Sequence, residues 1–152
     1  MKVQFKTDTR ALEKSIRRLG TVPQKYVTQS ARRGMNIPLN EAKQEAPVEQ
    51  GYLKKAMKLT GERSRYKAKK VYRIAFDKSY NDVFKSEKGY YPYSMEYGYY
   101  TKDGVYHDHS DETGWMVGFI RNSFNDNIPQ IERTIVAEMK KRIDTAIAEE
   151  GL

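Results

Sequence analysis

The stretch EAKQEAPVEQGYLKKAMKL, residues 41 to 59, contains the point where the chain is expected to change from helix to sheet. Its first residues favour a helix, and Pro47 ends it because proline lacks a backbone N–H and restricts the residue before it. Gly51 supplies a backbone position free of steric restriction, and Leu53 returns to the core. We therefore predict a rigid corner built from Pro47, Gly51 and Leu53.

Before this corner, apolar residues recur at helical spacing. Leu12, Ile16 and Leu19 predict a short first helix that Gly20 ends. Pro23 suits the first turn of a second helix, which Pro38 is expected to kink. The second helix carries a stripe of mostly small residues: Val27, Ala31, Met35, Ala42 and Ala46. Together the helices are expected to cover about residues 9–46.

After the corner, the pattern changes to sheet and then back to helix. Residues 71–76 are rich in β-branched and aromatic side chains, and glycines punctuate residues 77–114, so sheet and loops are expected over about residues 52–124. A final helix over about residues 128–149 presents a core face of Ile131, Ile135, Met139 and Ile143. The order predicts one α+β domain, residues 1–152: an antiparallel sheet with amino-terminal helices and the long carboxyl-terminal amphipathic helix packed on it.

Composition excludes several classes of protein. None of the 152 residues is cysteine, so a disulfide framework, a thiolate metal site and a cysteine nucleophile are impossible. The sequence has no Gly-rich phosphate loop, no plausible pair of catalytic carboxylates and no serine-triad signature. It also has no run of 18 apolar residues and no signal peptide. We expect a non-enzymatic protein without a cofactor and without a membrane segment.

The net charge of +8 is unevenly distributed along the chain. Residues 1–80 hold 20 basic and 7 acidic side chains, a net charge of +13, whereas residues 81–152 hold 8 and 13, a net charge of −5. This asymmetry is compatible with nucleic acid, with an acidic partner, or with copies of the chain that meet basic end to acidic end.

Two groups of residues outside the helices could bind a ligand or partner. His107 and His109, close to acidic residues, could bind a metal or act in acid–base chemistry, but a solvated loop is the preferred interpretation. The second group is a cluster of tyrosines, which favours protein contact over base stacking, with core packing as the alternative. Its members are Tyr90, Tyr91, Tyr93, Tyr97, Tyr99, Tyr100 and Tyr106.

The segment RSRYKAKKVYRIAF, residues 63 to 76, alternates basic and apolar residues. In a continuous strand, this alternation would give one basic and one apolar face. A turn near residues 67–70 would instead produce a hairpin with a basic tip, and the composition fits both structures. In either case a basic surface for a partner is expected, formed by Arg63, Arg65, Lys67, Lys69 and Arg73.

Three short blocks resemble one family, the tail-completion and minor tail proteins at the head–tail junction of long-tailed bacteriophages. The first is the alanine–lysine helix end followed by Ala-Pro-Val, a variable pair, Gly and Leu. The second is a tyrosine followed by Glu, any residue and Gly, and the third is a phenylalanine with an arginine two residues later. The matching residues are Ala42, Lys43, Ala46, Pro47, Val48, Gly51 and Leu53, then Tyr93, Glu96 and Gly98, then Phe119 and Arg121.

The chain departs from the pattern at several positions. Ala56 and Met57 replace the usual serine and isoleucine, and Tyr99 replaces a common threonine. Gly118 and Asn122 stand where prolines are frequent.

The resemblance implies a structural role in the virion. It implies an oligomeric ring in the neck or at the tail end, made in the host cytoplasm, contacting the tail-tube protein and the head-connector proteins, with DNA passing through the ring. An alternative is a small basic nucleic-acid-binding protein that uses residues 54–73. We expect the basic surface to face acidic neighbours, because a lumen lined with many cations would hold DNA rather than let it slide.

Overall fold

The structure is a computed structural model that describes residues 10–48, 51–65, 69–86, 89–108 and 117–149, with the side chains of the first helix described from residue 24 onward. It confirms the α+β class, with long helices at the two ends and antiparallel strand pairs between them. Asp8 and Thr9, whose side chains and sequence position suit a cap of the first helix, lie outside the described part of the chain.

The amino-terminal region forms one helix, α1 (Arg10–Glu45), and not two. The predicted break between Gly20 and Pro23 was wrong, and the helix also continues through Pro38. A glycine in a helix interior costs only about 1 kcal/mol and a proline about 3 kcal/mol, so packing can outweigh both. At Pro38 the packing is visible, since its side chain is fully buried.

The middle of the chain contains short elements. Gly51 precedes helix α2 (Tyr52–Ala56), which leads directly into strand β1 (Met57–Gly61), and β1 pairs antiparallel with β2 (Tyr72–Phe76). A 3-10 turn and helix α3 follow, and then two more antiparallel pairs flank helix α4. The remaining bounds are α3 (Asn81–Phe84), β3 (Lys85–Ser86), β4 (Gly89–Tyr90), α4 (Tyr91–Tyr97), β5 (Tyr99–Tyr100) and β6 (Tyr106–His107).

The region expected to contain sheet and loops therefore also contains helices. Its strands form three separate two-stranded pairs within the described residues, and not one sheet. Helix α5 (Phe119–Asp126) closes the region, and helix α6 (Ile128–Glu149) has the bounds that its isoleucine spacing indicated.

Helix α6 packs along α1, which corrects the expectation that it packs on the sheet. The two helices run antiparallel: Gly34 of α1 lies against Ile135, whereas Gln29 of α1 accepts a hydrogen bond from Arg142 (2.6 Å). Arg33 also forms an ion pair with Glu138 at 3.2 Å. A glycine on α1 allows this close approach because it presents no side chain to the facing helix.

The predicted core face of α6 is buried unevenly. Ile131 is buried, Ile135 and Met139 are half-buried, and Ile143 is 39% exposed. Among the described residues α6 packs mainly along α1, and the far side of the isoleucine stripe is left exposed. Ala146, which the stripe did not include, is buried in its place.

The main hydrophobic core lies between α1 and the short elements of the middle region. Phe84 is at its centre, with the Phe76 ring at 5.8 Å and the Tyr90 ring at 5.8 Å, both edge-on. Its buried members are Leu39, Ala42, Ala46, Leu53, Ala56, Met57, Phe84, Met95 and Phe119. Strand β1 and the short helices α2, α3, α4 and α5 each contribute at least one buried side chain to this shared core.

Candidate interaction site

The corner at the end of α1 has the expected geometry. Helix α1 ends at Glu45, Pro47 is buried, and Leu53 is buried in the core. Gly51 has φ +69° and ψ 6°, in the left-handed region that other residues rarely adopt, and its carbonyl accepts the first hydrogen bond of α2 from Lys55 (3.2 Å). The turn into α2 therefore depends on the backbone of Gly51.

We expect Gly51→Val to lower the free energy of unfolding by about 1 to 3 kcal/mol, because a β-branched residue is strained at this φ. Apart from its chain neighbours, no atom of the described residues lies within 4 Å of a Cβ placed there, so the cost comes from the backbone conformation and not from crowding by those residues. Gly51→Asn is the matched control and should cost less, since asparagine tolerates left-handed φ. Equal denaturation midpoints for the two variants would contradict the claim that the left-handed backbone of Gly51 is required.

The other residues of the first motif block differ in their exposure. Ala42 and Ala46 are fully buried in the core, and Lys43 is half-buried. Val48 is 69% exposed and makes no contribution to the core. Core packing therefore explains the small side chains of Ala42 and Ala46, whereas Val48 is exposed and available to a partner.

The second and third motif blocks meet at one carboxyl group. Glu96 of α4 is only 6% exposed, and its two oxygens accept hydrogen bonds from the backbone N–H groups of Ile120 (2.9 Å) and Arg121 (3.0 Å). These are among the first N–H groups of α5, which a preceding residue would ordinarily cap. That residue, Gly118, has no side chain to do so, and the carboxyl group of Glu96 caps the helix from another element. The sequence indicated Glu96 as a motif residue but not its role as a cap.

Gly98, in the second block, allows a close approach between two elements. Its φ is +71°, and a Cβ at this position would lie 2.5 Å from the carbonyl oxygen of His107 and 2.5 Å from the hydroxyl oxygen of Tyr106. The Tyr106 hydroxyl donates a hydrogen bond to the carbonyl of Tyr97 at 2.7 Å. Glycine at 98 therefore lets the β5–β6 hairpin pack against the end of α4.

A tyrosine surface, defined as Tyr93, Tyr97, Tyr100 and Tyr106, lies on α4 and this hairpin. Tyr93 is 64% exposed and Tyr97 is 58% exposed, yet their rings stack on each other with centroids 6.0 Å apart. Tyr93 also contacts Tyr90 at 5.4 Å, and Tyr90 packs on the buried Phe84. The exposed rings are thus held in place by an aromatic chain that reaches the core.

Burial also changes the acidity of Tyr90, which links the tyrosine surface to the core. Tyr90 is half-buried, and its removal from solvent, followed by the proximity of Tyr93, raises the pKa of its phenol above the ordinary value. Its hydroxyl lies 3.4 Å from the side-chain oxygen of Asn81. Tyr90 therefore acts here as a neutral packing residue that links the surface to the core.

The basic segment forms a hairpin and not one continuous strand, since β1 and β2 flank residues 62–71. Arg63, Arg65 and Lys69 lie exposed in the connection, and Lys67 lies outside the described residues. The connection is held on α1 by Gln24, whose amide donates to Ser64 (3.2 Å) and to the carbonyl of Lys69 (3.3 Å). A groove of about 600 Å³ lies along it.

Arg73, on β2, differs from the other basic residues of the segment. It forms an exposed ion pair with Glu62 at 2.6 Å, so part of its charge is already neutralised within the chain. In the sequence, Glu62 and Arg73 are opposite charges on either side of the hairpin connection. Whether they pair depends on the register of β1 and β2, which the sequence left open. The unneutralised charge of the basic surface therefore lies mainly in the connection between β1 and β2, residues 62–71.

Another ion pair fixes the start of the 3-10 turn. Lys58 of β1 bonds to the carboxyl group of Asp77 at 2.7 Å, and Asp77 also accepts from the backbone N–H and the hydroxyl of Ser79. The Lys58 hydrogen bond is the main reason, and the Ser79 bonds the next, that the pKa of Asp77 falls from 3.8 to about 2.

We expect nuclear magnetic resonance to show the Asp77 carboxyl titrating near pH 2 and Lys58→Ala to move its pKa upward toward 3.8. A folded-state pKa below the unfolded value means that the contribution to stability is present above about pH 4 and is lost as the pH falls toward 2. Lys78→Ala, which alters a cation beside Asp77 in sequence, is the control. An unchanged Asp77 pKa in Lys58→Ala would contradict the assigned cause.

Of the two histidines, His107 lies in the part of the chain that the structure describes. The ring of His107, on β6, stacks on Tyr99 with centroids 5.4 Å apart, whereas His109, Asp111 and Glu112 lie outside the described residues. Among the residues that the structure describes, no group of three metal-ligating side chains comes together. In the same part of the chain, no helix is both long enough and apolar enough to cross a membrane.

Comparison with models of known families, with curated proteins and with solved structures returns no match for this chain.

Proposed function

We propose that the protein is a structural component of a long-tailed bacteriophage particle, a tail-completion or neck subunit that joins the tail tube to the head connector as part of an oligomeric ring. The class comes from the three sequence blocks at residues 42–53, 93–98 and 119–121. Its partners would be further copies of itself, the tail-tube protein and the connector proteins. It would be assembled in the host cytoplasm, remain in the virion, need no cofactor and let DNA pass.

The observation that carries the protein-contact part of this proposal is the tyrosine surface. Tyrosine supplies a large contact area at low cost in side-chain entropy, and it is enriched at protein interfaces. Here the stacking of Tyr93 on Tyr97 and the contact with Tyr90 order the rings before any partner binds. Pre-ordered groups lose less entropy on association, so this surface is suited to contact with a protein.

The proposal is tested with the tail-tube protein that we expect to be encoded next to this chain. We expect the purified protein to form a ring at the end of tubes made from the neighbouring tail-tube protein, visible in negative-stain images. Tyr93→Ala with Tyr97→Ala should lower the fraction of capped tubes at least tenfold. Val83→Ala, an exposed apolar change outside the tyrosine surface, should leave it unaltered.

Two results would contradict the proposal. One is wild-type protein that binds neither tube nor connector. The other is a gene with no portal, capsid or tail genes nearby.

A second candidate, binding of nucleic acid, rests on the groove beside Arg63, Arg65 and Lys69. Cations along a groove attract phosphates, and the affinity of such contacts falls steeply with salt. In a ring, however, the same cations repeated in every subunit would hold DNA and oppose its passage. We therefore assign this surface to acidic protein neighbours, where complementary charge sets the register and the rate of association.

We expect Arg65→Glu, Lys67→Glu and Lys69→Glu together to abolish joining to tails, with no duplex DNA binding by either form at about 0.15 M salt, where the screening length is roughly 8 Å. Joining is scored on electron micrographs and DNA binding by fluorescence anisotropy. Lys140→Glu with Lys141→Glu, on exposed positions of α6, is the control for overall charge. Wild-type DNA binding that the triple variant loses while it still joins tails would favour the nucleic-acid function.

A further inference from the structure

Strand β2 has an open edge. It pairs with β1 on one side, and no third strand joins this pair within the described residues. Just beyond the two ends of the β1–β2 pairing, the backbone N–H of Glu62 donates to the Val71 carbonyl (2.9 Å). At the other end, the backbone N–H of Asp77 donates to the Ala56 carbonyl (2.8 Å). These two bonds fix which residues of β2 direct their backbone groups toward β1.

Backbone groups of successive residues in an antiparallel strand point to alternate sides. Since Val71 and Asp77 face β1, so do the residues between them at odd positions. Tyr72, Ile74 and Phe76 therefore direct their N–H and C=O groups away from β1, to the open edge. An edge of this kind is a template for a further strand.

A groove of about 480 Å³ runs along this edge. One wall is formed by four consecutive residues, 73–76, and no residue of β1 lines it. Because successive side chains point to opposite faces of a strand, four consecutive residues can share a groove only along the strand's edge. The other wall contains Tyr90, Tyr93, Tyr97 and Ile120.

We propose that this edge and its groove accept an added β-strand from a second copy of the chain, supplied by residues 2–6. That segment lies outside the described residues, and its sequence, KVQFK, alternates strictly between polar and apolar. In a strand, Val3 and Phe5 would share the face that packs beside Ile74 and Phe76, and Lys2, Gln4 and Lys6 would face solvent. The five residues match the five-residue length of β2.

The length of α1 excludes insertion of the segment into its own chain. Tyr72, the end of β2 nearest the start of α1, donates from its hydroxyl to the Thr28 carbonyl at 3.1 Å. The helix from Arg10 to Thr28 is about 27 Å long at 1.5 Å per residue. The chain from residue 6 to residue 10 spans at most about 14 Å. Residues 2–6 can therefore reach β2 only in a different copy.

This inference concerns self-association and does not depend on the proposed function. A head-to-tail contact of this type, in which a segment of one copy fills the edge of the next, generates rings or filaments. Strand addition also supplies backbone hydrogen bonds as well as side-chain contacts. If the phage role fails its own test, strand exchange between copies is still open to the measurements below.

The first test measures binding of a peptide. A fluorescent peptide of residues 1–9 is titrated into full-length protein carrying Val3→Asp and Phe5→Asp, whose own segment no longer competes for the edge. We expect saturable binding. The same peptide with Val3→Asp and Phe5→Asp should bind at least tenfold more weakly, and a matched peptide with Lys2→Asp and Gln4→Asp, changed on the solvent face, should still bind.

The role of the backbone edge is tested at Ile74. Ile74→Pro removes the outward N–H, whereas Ile74→Ala shortens the side chain and keeps the N–H, so only the proline variant should abolish peptide binding. Circular dichroism establishes that both variants are folded. Equal peptide affinities of the two variants, or no saturable binding to the full-length receptor, would overturn the proposal.

The second test asks whether the contact joins two copies. The chain has no cysteine, so engineered cysteines are the only sites for a bismaleimide cross-linker. Two differently tagged proteins, one with Gln4→Cys and the other with Ala75→Cys, should form cross-linked heterodimers when mixed. The double variant should form oligomers, and a cross-link confined within one chain would overturn exchange between copies.

Discussion

Glu96→Ala is expected to lower the free energy of unfolding by about 2 to 4 kcal/mol. The variant deletes both acceptors of the Ile120 and Arg121 N–H groups, and hydrogen bonds to charged groups contribute about 1.5 to 3 kcal/mol each without being strictly additive. The donors would remain in a partly buried site, where unpaired N–H groups are costly. Urea denaturation measures the loss.

Two further variants separate the cap from a general effect of charge. Glu96→Gln keeps the size of the side chain but presents one NH₂ group to two donors, so it should recover only part of the loss. Glu132→Ala, at an exposed position of α6, should change stability by less than about 0.5 kcal/mol. Faster hydrogen exchange at the Ile120 and Arg121 amides is expected only in the Glu96 variants. Equal midpoints for Glu96→Ala and Glu132→Ala would contradict the cap.

Gly34→Leu is the second large effect, with an expected loss of about 3 kcal/mol. Any Cβ at position 34 would lie 2.6 Å from Cγ1 of Ile135 and 3.3 Å from the backbone oxygen of Ile131. A leucine must therefore push α1 and α6 apart, and overpacking of this kind costs about 1 to 3 kcal/mol or more. Thermal unfolding measures the change.

A double-mutant cycle identifies the contact responsible. Gly34→Ala adds one methyl group, whose crowding is partly offset by about 1 kcal/mol of helix propensity. Ile135→Ala alone should cost about 2 kcal/mol, at the lower end for a core truncation because Ile135 is half-buried. Combined with Gly34→Ala, it removes the side chain that the new methyl meets, so the pair should be less damaging than the sum. Strict additivity would show that Gly34 and Ile135 are not in contact.

The helical ends of the molecule show how far local patterns extend. The isoleucine spacing gave the bounds of α6, because an apolar stripe with period 3.6 is a property of consecutive residues. It did not give the packing partner, and Ile143 is 39% exposed although it lies on the stripe. Gly20 and Pro23 indicated a break in α1 that does not occur, because a glycine costs a helix only about 1 kcal/mol and a proline about 3 kcal/mol, and neither must end it.

By itself, the sequence determined the features that depend on neighbouring residues: the α+β class, the end of α1 before Pro47 and the left-handed turn at Gly51. These follow from backbone sterics and short-range periodicity. Only the tertiary structure decided that Glu96 caps α5 through the N–H of Ile120, 24 residues later, and that Arg73 pairs with Glu62. The same holds for the packing of α6 against Gly34. The open edge of β2 belongs to the same group. Each of these depends on how segments that are distant in the chain are placed against one another, and so on register and orientation, which no local pattern encodes.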